Sequence, residues 1–433
     1  MPEVVDDARY RPVLGPAHAT WITVGAMIGS GIFSTPADVA RRTGSTAASV
    51  AVWVVGALLT LLGAVSVAEL GAALPASGGL YVWLRRAFGE RLAFLFGWAM
   101  LVVLVPSSVA YFASVTANHV APLVGVSPRA VSTVTVLGCA AVNALGVAPA
   151  AGVQVAVTVA RVVALAAIGL GGTFLGDAPA APSPSPTALG LAAAVVPVLW
   201  AYDGWIDVTS IGAELRDPAR DVPRALVRGV ALVALVYVLV TLGLHHALGT
   251  PRLAVTPAPG LALGEALGGL AARRAVGALV ATSTVGACLV GMLTGTRVIA
   301  AMGTAGALLR PLGAVGVAGV PQRAIAVTAA LALVYLGWAP ATRLAEVFVV
   351  GAWPFYAAGA LATVALRRKE PALHRPWKTP AYPWPIVGFV VVTALMIVAF
   401  AIDDRRSVLA SFGLIAVGLP AHALVRLRRP RGV

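Results

Sequence analysis

Residues 21–36 read Trp-Ile-Thr-Val-Gly-Ala-Met-Ile-Gly-Ser-Gly-Ile-Phe-Ser-Thr-Pro, and two glycines flanking a serine interrupt this apolar stretch near its middle. Glycine costs about 1 kcal/mol in a helix interior and proline about 3 kcal/mol, so Gly29, Gly31 and Pro36 together favour a helix that unwinds here. We expect the freed backbone amides to point into a cavity, at the positive end of the second half-helix. Such a site suits a carboxylate.

A second apolar stretch is interrupted in a similar way. Residues 197–205 read Pro-Val-Leu-Trp-Ala-Tyr-Asp-Gly-Trp, with Asp203 beside Gly204. A carboxylate at mid-membrane depth is costly and should face a protein cavity, where unwound carbonyls would accept hydrogen bonds from an ammonium group. The two breaks together suit a zwitterion such as an α-amino acid. Close helix packing through small residues is the alternative for either break alone.

The composition places these stretches in a membrane. Hydrophobic residues make up 59% of the 433-residue chain and charged residues only 11%, whereas soluble domains are about one-quarter charged. A spanning helix needs about 20 apolar residues, so the length accommodates roughly twelve spans with short loops and no additional soluble domain. We therefore predict an all-α integral membrane protein with about twelve transmembrane helices and no cleaved signal peptide.

The breaks fall in predicted spans 1 and 6, which are matching positions of two five-helix halves. Interrupted helices in matching positions are typical of inverted-repeat transporters. The predicted organisation is a cytoplasmic tail at 1–13, a first repeat at 14–176, a second repeat at 177–366, and two further helices with a tail at 367–433.

Basic residues predict the orientation. The net charge is +14, but the arginines lie at loop edges without the interleaved aromatics of a nucleic-acid site. Twenty-one of the 31 lysines and arginines fall in segments that are cytoplasmic if both termini are inside, nine fall in the opposite loops, and Arg161 belongs to neither set. The positive-inside rule thus predicts a multi-pass protein of the cell membrane with cytoplasmic termini. Residues 214–224 are expected to form a mainly solvated loop with some ion pairs.

Five motifs, in order along the chain, resemble those of the amino acid–polyamine–organocation superfamily. Its L-type amino acid transporter branch is the most similar in the sixth helix. The motifs are Gly25-Ala-Met-Ile-Gly-Ser-Gly-Ile-Phe33, Ala68-Glu-Leu-Gly71 with Pro75-Ala-Ser-Gly-Gly-Leu-Tyr81 and Ala87-Phe-Gly89, Ala201-Tyr-Asp-Gly-Trp205 with Glu214–Arg224, Ser283-Thr-Val-Gly-Ala287 with Arg297, and Glu370–Pro383.

The resemblance implies a LeuT-like five-plus-five inverted repeat with discontinuous helices 1 and 6. It implies that the substrate contacts Ile28, Gly29, Ser30 and Gly31 on one break, and Trp200, Ala201, Asp203 and Gly204 on the other, with Trp200 as a gate. The branch has an asparagine in span 8 where this chain has Leu289, which weakens side-chain recognition from that helix. Residues 118–130 lack the cysteine that joins eukaryotic members to a heavy chain, so no disulfide-linked partner is expected.

Arg161 lies deep in predicted span 5, where a charge costs at least about 2.5 kcal/mol. Snorkelling to the interface is the simpler alternative, but about ten apolar residues follow it. The resemblance implies that related carriers have a lysine at this position, at the place where sodium-coupled relatives bind the ion. We therefore expect Arg161 to substitute for sodium with a fixed positive charge.

These observations favour a sodium-independent secondary transporter of α-amino acids, neutral ones in particular, working by exchange. Proton-coupled symport of amino acids or polyamines, with Glu69 or Asp203 carrying the proton, is the alternative. An ion channel or membrane receptor would be a different class, but no repeated pore motif is present. The sequence contains no nucleophile–base pair, metal-ligand spacing or phosphate loop, so we expect neither an enzyme nor a metal or other cofactor.

Overall fold

The computed structural model describes residues 11–178, 187–306, 310–316, 319–338, 341–403 and 405–427. The predicted terminal tails therefore lie mostly outside the described residues. The α-helices are α1 Pro16–Met27, α2 Gly31–Thr43, α3 Thr46–Ala73, α4 Leu80–Phe88, α5 Glu90–Ala99, α6 Val105–Val124, α7 Pro128–Ala144, α8 Val147–Leu175, α9 Ala188–Ala201, α10 Pro218–Leu248, α11 Thr250–Ala254, α12 Pro259–Thr304, α13 Gln322–Trp338, α14 Ala341–Lys369, α15 Trp384–Asp403, α16 Arg405–Ala416 and α17 Gly418–Leu427.

Local sequence explains many of the helix ends. Ser45 and Ser127 cap α3 and α7, each accepting a hydrogen bond from the amide three residues later, at 3.2 and 3.3 Å. Both hydroxyls satisfy donors that a helix start leaves free. Gly44 ends α2 and Gly125 ends α6 in the left-handed region, which favours glycine.

Nine helical stretches of the described chain are long and apolar enough to cross a membrane. The sequence predicted roughly twelve spans, so fewer stretches meet this criterion in the described chain. The stretches are Thr46–Ala73, Glu90–Ala121, Ala150–Leu175, Gly190–Ser210, Pro218–Leu248, Pro259–Thr304, Val347–Lys369, Trp384–Ile402 and Arg405–Val425. The all-helical membrane class is therefore confirmed.

Three helices contain irregularities that the span prediction did not include. A π-helical segment, Met100–Leu104, joins α5 to α6. Helix α12 bends at Gly268 and Gly269, whose backbone angles are not helical. The last predicted span divides into α16 and α17 around Val417. Periodicity alone cannot locate such local changes, because the apolar pattern continues through each of them.

The interrupted helices lie at the centre of the bundle. Helix α1 packs against α8, α10 and α12, while α2 packs against α9. Behind the interruptions, the ring of Trp53 meets those of Tyr202 and Tyr237 edge-on, with centroids 5.8 and 5.2 Å apart. All three side chains are buried, so this aromatic cluster joins α3 and α10 to the interrupted region.

Backbone pairing and a buried ion pair close one end of the bundle. The Leu14 amide donates to the Glu214 carbonyl at 3.0 Å, and the Gly78 amide to the Ser210 carbonyl at 3.0 Å. Arg297 Nε donates to Glu214 Oε1 at 3.0 Å, and both side chains are fully buried. The expectation of a mainly solvated loop is thus wrong for Glu214, because the chain folds back under α12 and encloses it.

Candidate functional site

The first interruption separates α1 from α2 at Ile28–Ser30. The Gly29 amide turns back to the Met27 carbonyl at 2.9 Å, and the Phe33 amide donates to the Ser30 carbonyl at 3.1 Å. The amides of Ser30, Gly31 and Ile32 have no hydrogen-bond acceptor within the described chain, as expected for the first turn of a helix. This end of α2 therefore presents unpaired donors.

The second interruption follows α9. The chain turns at Tyr202–Gly204 and continues as the 3₁₀ segment Trp205–Ser210. Gly204 has φ of +100°, and a Cβ there would lie 2.6 Å from the Ala26 carbonyl oxygen. The position requires glycine both for its backbone angle and for this close approach.

The two interruptions face one cavity. Seven of the eight predicted substrate-contacting residues line it, namely Gly29, Ser30, Gly31, Trp200, Ala201, Asp203 and Gly204. Ile28 lies behind it, fully buried. Helix α12 contributes Ala287 and Gly291 to the lining, so it presents no polar side chain there. Leu289 instead packs away from the cavity, in an apolar cluster with α6 and α7.

An aromatic group closes one side of the cavity. The Trp200 ring meets Tyr111 and Phe348 edge-on, with centroids 5.9 and 6.0 Å apart. The Tyr111 hydroxyl also shares a 2.5 Å hydrogen bond with Ser30 Oγ. Tyr111 therefore connects the predicted gate to the first interruption, and this contact was not anticipated from the sequence.

Asp207 is a second carboxylate that sequence reasoning missed. It lines the cavity together with Asp203, and its Oδ2 accepts a hydrogen bond from Thr294 Oγ1 at 3.3 Å. Asp203 Oδ1 is buried and lacks a hydrogen-bond partner within the described chain. The lining residues include no lysine or arginine. The sequence shows Asp207 four positions after Asp203. The two carboxylates reach the same cavity because the intervening chain forms a helical turn, which the sequence did not predict.

Tyr237 on α10 holds the two interruptions together. Its hydroxyl lies 3.0 Å from the Met27 carbonyl, at the end of α1, and 3.0 Å from the Ala201 carbonyl, at the end of α9. The side chain is fully buried. It was not among the predicted site residues, although a tyrosine in the middle of an apolar span is a signal for a buried hydrogen bond.

Arg161 lies beside the first interruption and is fully buried. Its guanidinium donates to the carbonyls of Ile28 and Ser283, the latter at 2.9 Å, and to Thr158 Oγ1 at 2.9 Å. The Ser283 hydroxyl donates to the Ile28 and Gly29 carbonyls at 3.2 and 3.0 Å. The side chain thus connects α8 to the broken segment and to α12, and it does not snorkel.

Glu69 lies away from the cavity, in a cluster of cationic partners. Arg367 donates to both of its oxygens, at 2.9 and 2.5 Å. Arg375 approaches within 3.1 Å, and the Thr379 amide donates at 2.8 Å. Glu69 therefore joins α3 to the segment between α14 and α15. Within the described chain, no three histidine, cysteine or acidic side chains are grouped as metal ligands.

Comparison of the sequence with known proteins identifies the family. The sequence profile of a family described as amino acid permease matches residues 14–419. The serine/threonine exchanger SteT of Bacillus subtilis is 28% identical over 98% of this chain and 99% of its own length. The b(0,+)-type amino acid transporter 1 of Rattus norvegicus is 34% identical over 87% of this chain and 80% of its own length. The cystine/glutamate transporter of Homo sapiens is 27% identical over 95% of this chain and 85% of its own length. This chain is therefore a multi-pass membrane transporter and not an enzyme, and it belongs to the amino acid permease family.

Proposed function

We propose that this protein exchanges neutral α-amino acids across the cell membrane by alternating access and without sodium. The observation that carries the proposal is the single cavity between two interrupted helices, one presenting amide donors and the other carbonyl acceptors. SteT is described as a serine/threonine exchanger, and the other two relatives are also described as transporters of amino acids.

The cavity offers a separate place for each end of a zwitterion. The free amides of Ser30, Gly31 and Ile32 suit a carboxylate, since three aligned donors and the α2 dipole favour negative charge. The Ala201 carbonyl accepts a hydrogen bond from the Tyr237 hydroxyl at 3.0 Å. A carbonyl oxygen has two lone pairs, so this one retains capacity for a substrate ammonium.

The proposed architecture has twelve spans, ten of which form the inverted repeat. Nine stretches meet the length and composition of a span, and α1 with α2, α7 and α13 are the shorter apolar segments that would complete the set. The interruptions then occupy the first helix of each repeat, as expected for alternating access around a fixed central site. Both termini would be cytoplasmic, as the basic loops predict.

Arg161 supports sodium independence. Its fixed positive charge lies among the Ile28 and Ser283 carbonyls and the Thr158 hydroxyl. These are the oxygen types that would otherwise coordinate a hard cation such as sodium. A second cation beside a buried guanidinium would be strongly disfavoured in this low-dielectric setting.

Counterflow into proteoliposomes tests the exchange. Vesicles loaded with each unlabelled amino acid should accumulate labelled serine only when the internal amino acid is a substrate, and equally with external sodium or choline. Accumulation into empty vesicles at the same rate would contradict exchange, and a large stimulation by sodium would contradict the role given to Arg161.

The Trp200→Ala variant should weaken uptake if this ring closes over the substrate.

Proton-coupled symport is the second candidate, and Asp207 is the observation that favours it. Two carboxylates line one cavity that has no basic side chain, so a proton or a cationic substrate would relieve their repulsion. An inward proton gradient should then drive net accumulation into empty vesicles, and Asp207→Asn should abolish that accumulation. Exchange without net accumulation would leave the first proposal standing.

A further inference from the structure

A basic groove lies on the outer surface of the bundle, apart from the central cavity. It has a volume of about 450 Å³ and is lined by α10 and by the segment before α15. Its polar walls are Arg220, Arg224 and Arg228, while Pro376 and Trp377 face them. The volume falls within the roughly 300–1,000 Å³ typical of small-molecule pockets. No acidic side chain lines the groove.

The three arginines form a row on one face of α10. Residues four apart lie one above the other on a helix, so the row extends for about 12 Å along the axis. Arg220 and Arg228 are exposed and Arg224 is half-buried. Within the described chain, none of the three forms a salt bridge. Asp221 attracts Arg220 and Arg224 at longer range, but it is buried behind the groove. The groove therefore retains an excess of positive charge.

The same helix face continues into an apolar surface. Val227 is 37% exposed, Ala231 is exposed, and Leu235 is 66% exposed. Val227 lies beside Arg228, and Ala231 and Leu235 follow the arginine row by about one and two further helical turns towards the middle of the span. Trp377 stands beside the row, as tryptophan commonly does at a membrane–water interface. A ligand in the groove would thus meet cations at one end and lipid-facing side chains at the other.

We propose that this groove binds the headgroup of an anionic phospholipid. The arginines would hold the phosphate through charge-assisted hydrogen bonds, and the acyl chains would lie along the Val227–Leu235 face. A soluble phosphate would satisfy the same cations but would make no use of the apolar face. The charge pattern and the continuity of the face together favour a lipid.

Thermal unfolding of the delipidated full-length protein in detergent tests the site. Phosphatidylglycerol should raise the melting temperature well above the effect of equal phosphatidylcholine, and millimolar inorganic phosphate should not reproduce it. The variant R220Q/R224Q/R228Q should lose most of this rise. The control R42Q/R129Q/R252Q, which removes the same charge at exposed arginines elsewhere, should keep it.

Equal responses of the two triple variants would overturn the site, and a full response to inorganic phosphate would overturn the lipid as its ligand. If the first triple variant does not fold, Arg228→Glu provides the test, because this side chain is exposed. Native mass spectrometry should then show its phosphatidylglycerol affinity reduced roughly fivefold or more, given about 1 kcal/mol per basic residue at a membrane surface. An unchanged affinity would contradict the proposal.

Discussion

At the scale of single residues, Tyr237 and Arg161 act on the cavity without lining it. The Tyr237 hydroxyl lies within 3.0 Å of two carbonyls from different interrupted helices, and Arg161 binds the carbonyl of Ile28 between α1 and α2. Interrupted helices leave carbonyls without intrahelical partners, and buried carbonyls need donors. These two side chains supply them, so they hold the shape of the unwound backbone.

We predict that Tyr237→Phe lowers both stability and transport. The change deletes one hydroxyl and leaves the Met27 and Ala201 carbonyls without this donor, which should cost about 1–3 kcal/mol. The loss of the common donor should also let α1 and α9 move apart. Thermal unfolding and counterflow with the purified variant measure the two effects.

Tyr335→Phe is the matched control, because Tyr335 packs in a different apolar cluster from Tyr237 and its hydroxyl donates to the Val102 carbonyl. We expect it to lower stability while transport per folded molecule stays near that of the parent. If Tyr237→Phe also transports normally once folded, the hydrogen bonds of Tyr237 to the two interrupted helices contribute only to stability.

The residue scale is also where sequence reasoning reached its limit. The depth of Arg161 and the glycines of both interruptions predicted special positions, because a charge or a helix breaker in an apolar span needs a reason. Asp207 and Tyr237 gave weaker signals, since their importance depends on which residues of distant helices they face. A single sequence contains no measure of that proximity.

At the scale of elements, the interruptions were predictable while their continuation was not. Gly29, Gly31 and Pro36 located the first, and Asp203 with Gly204 located the second. After Gly204, however, the chain forms 3₁₀ turns to Ser210 rather than the expected second half-helix. The apolar pattern of this segment is compatible with an α-helix or a 3₁₀-helix. In the 3₁₀ form, the Ser210 carbonyl accepts a hydrogen bond from the Gly78 amide.

We predict that Gly31→Ala impairs transport by separating α2 from α9. A Cβ at Gly31 would lie 2.9 Å from both the Cα and the Cβ of Ala201, which cannot move without displacing the second interruption. Gly138→Ala on α7 is the control, since nothing lies within 4 Å of its Cβ. That control should be neutral or stabilising by up to about 1 kcal/mol. Initial uptake rates with unfolding temperatures test the pair, and equal behaviour would contradict the prediction.

We predict that Glu214→Gln destabilises the closed end of the bundle. It would leave the Arg297 guanidinium buried without its carboxylate, which typically costs about 3–5 kcal/mol. The double variant Glu214→Gln/Arg297→Met should recover much of the loss, because no isolated charge remains. Thermal unfolding in detergent measures both variants. A double variant less stable than the single one would show that Arg297 has another essential partner.

At the scale of the whole molecule, composition and span length predicted the class, while packing had to be observed. Apolar runs show where helices cross a membrane, because lipid imposes the same requirement on every span. They do not show which helices are neighbours. The contacts of α1 with α8, α10 and α12, which place Arg161 beside Ile28, depend on that arrangement.

We predict that the segment between α14 and α15 lies in the cytoplasm, on the same side as both termini. The segment after α11 should lie on the opposite side of the membrane. Ala372→Cys and Val255→Cys place a thiol in each, and both positions are exposed. The two native cysteines are buried and should remain unlabelled. An impermeant maleimide should label Val255→Cys in intact cells, and Ala372→Cys only after permeabilisation. The reverse pattern would place the termini outside.

The cluster around Glu69 has a consequence for how the protein is made. Glu69 enters the membrane with α3, but Arg367 follows 298 residues later in the chain. At synthesis rates of about 5–20 residues per second, the carboxylate waits roughly 15–60 s for its cation. The end of α14 and the segment that follows it are therefore needed to pair this carboxylate. A chain released after α13 would contain α3 with the Glu69 carboxylate but without Arg367 and Arg375, the cations that neutralise it. We expect such a chain to be degraded.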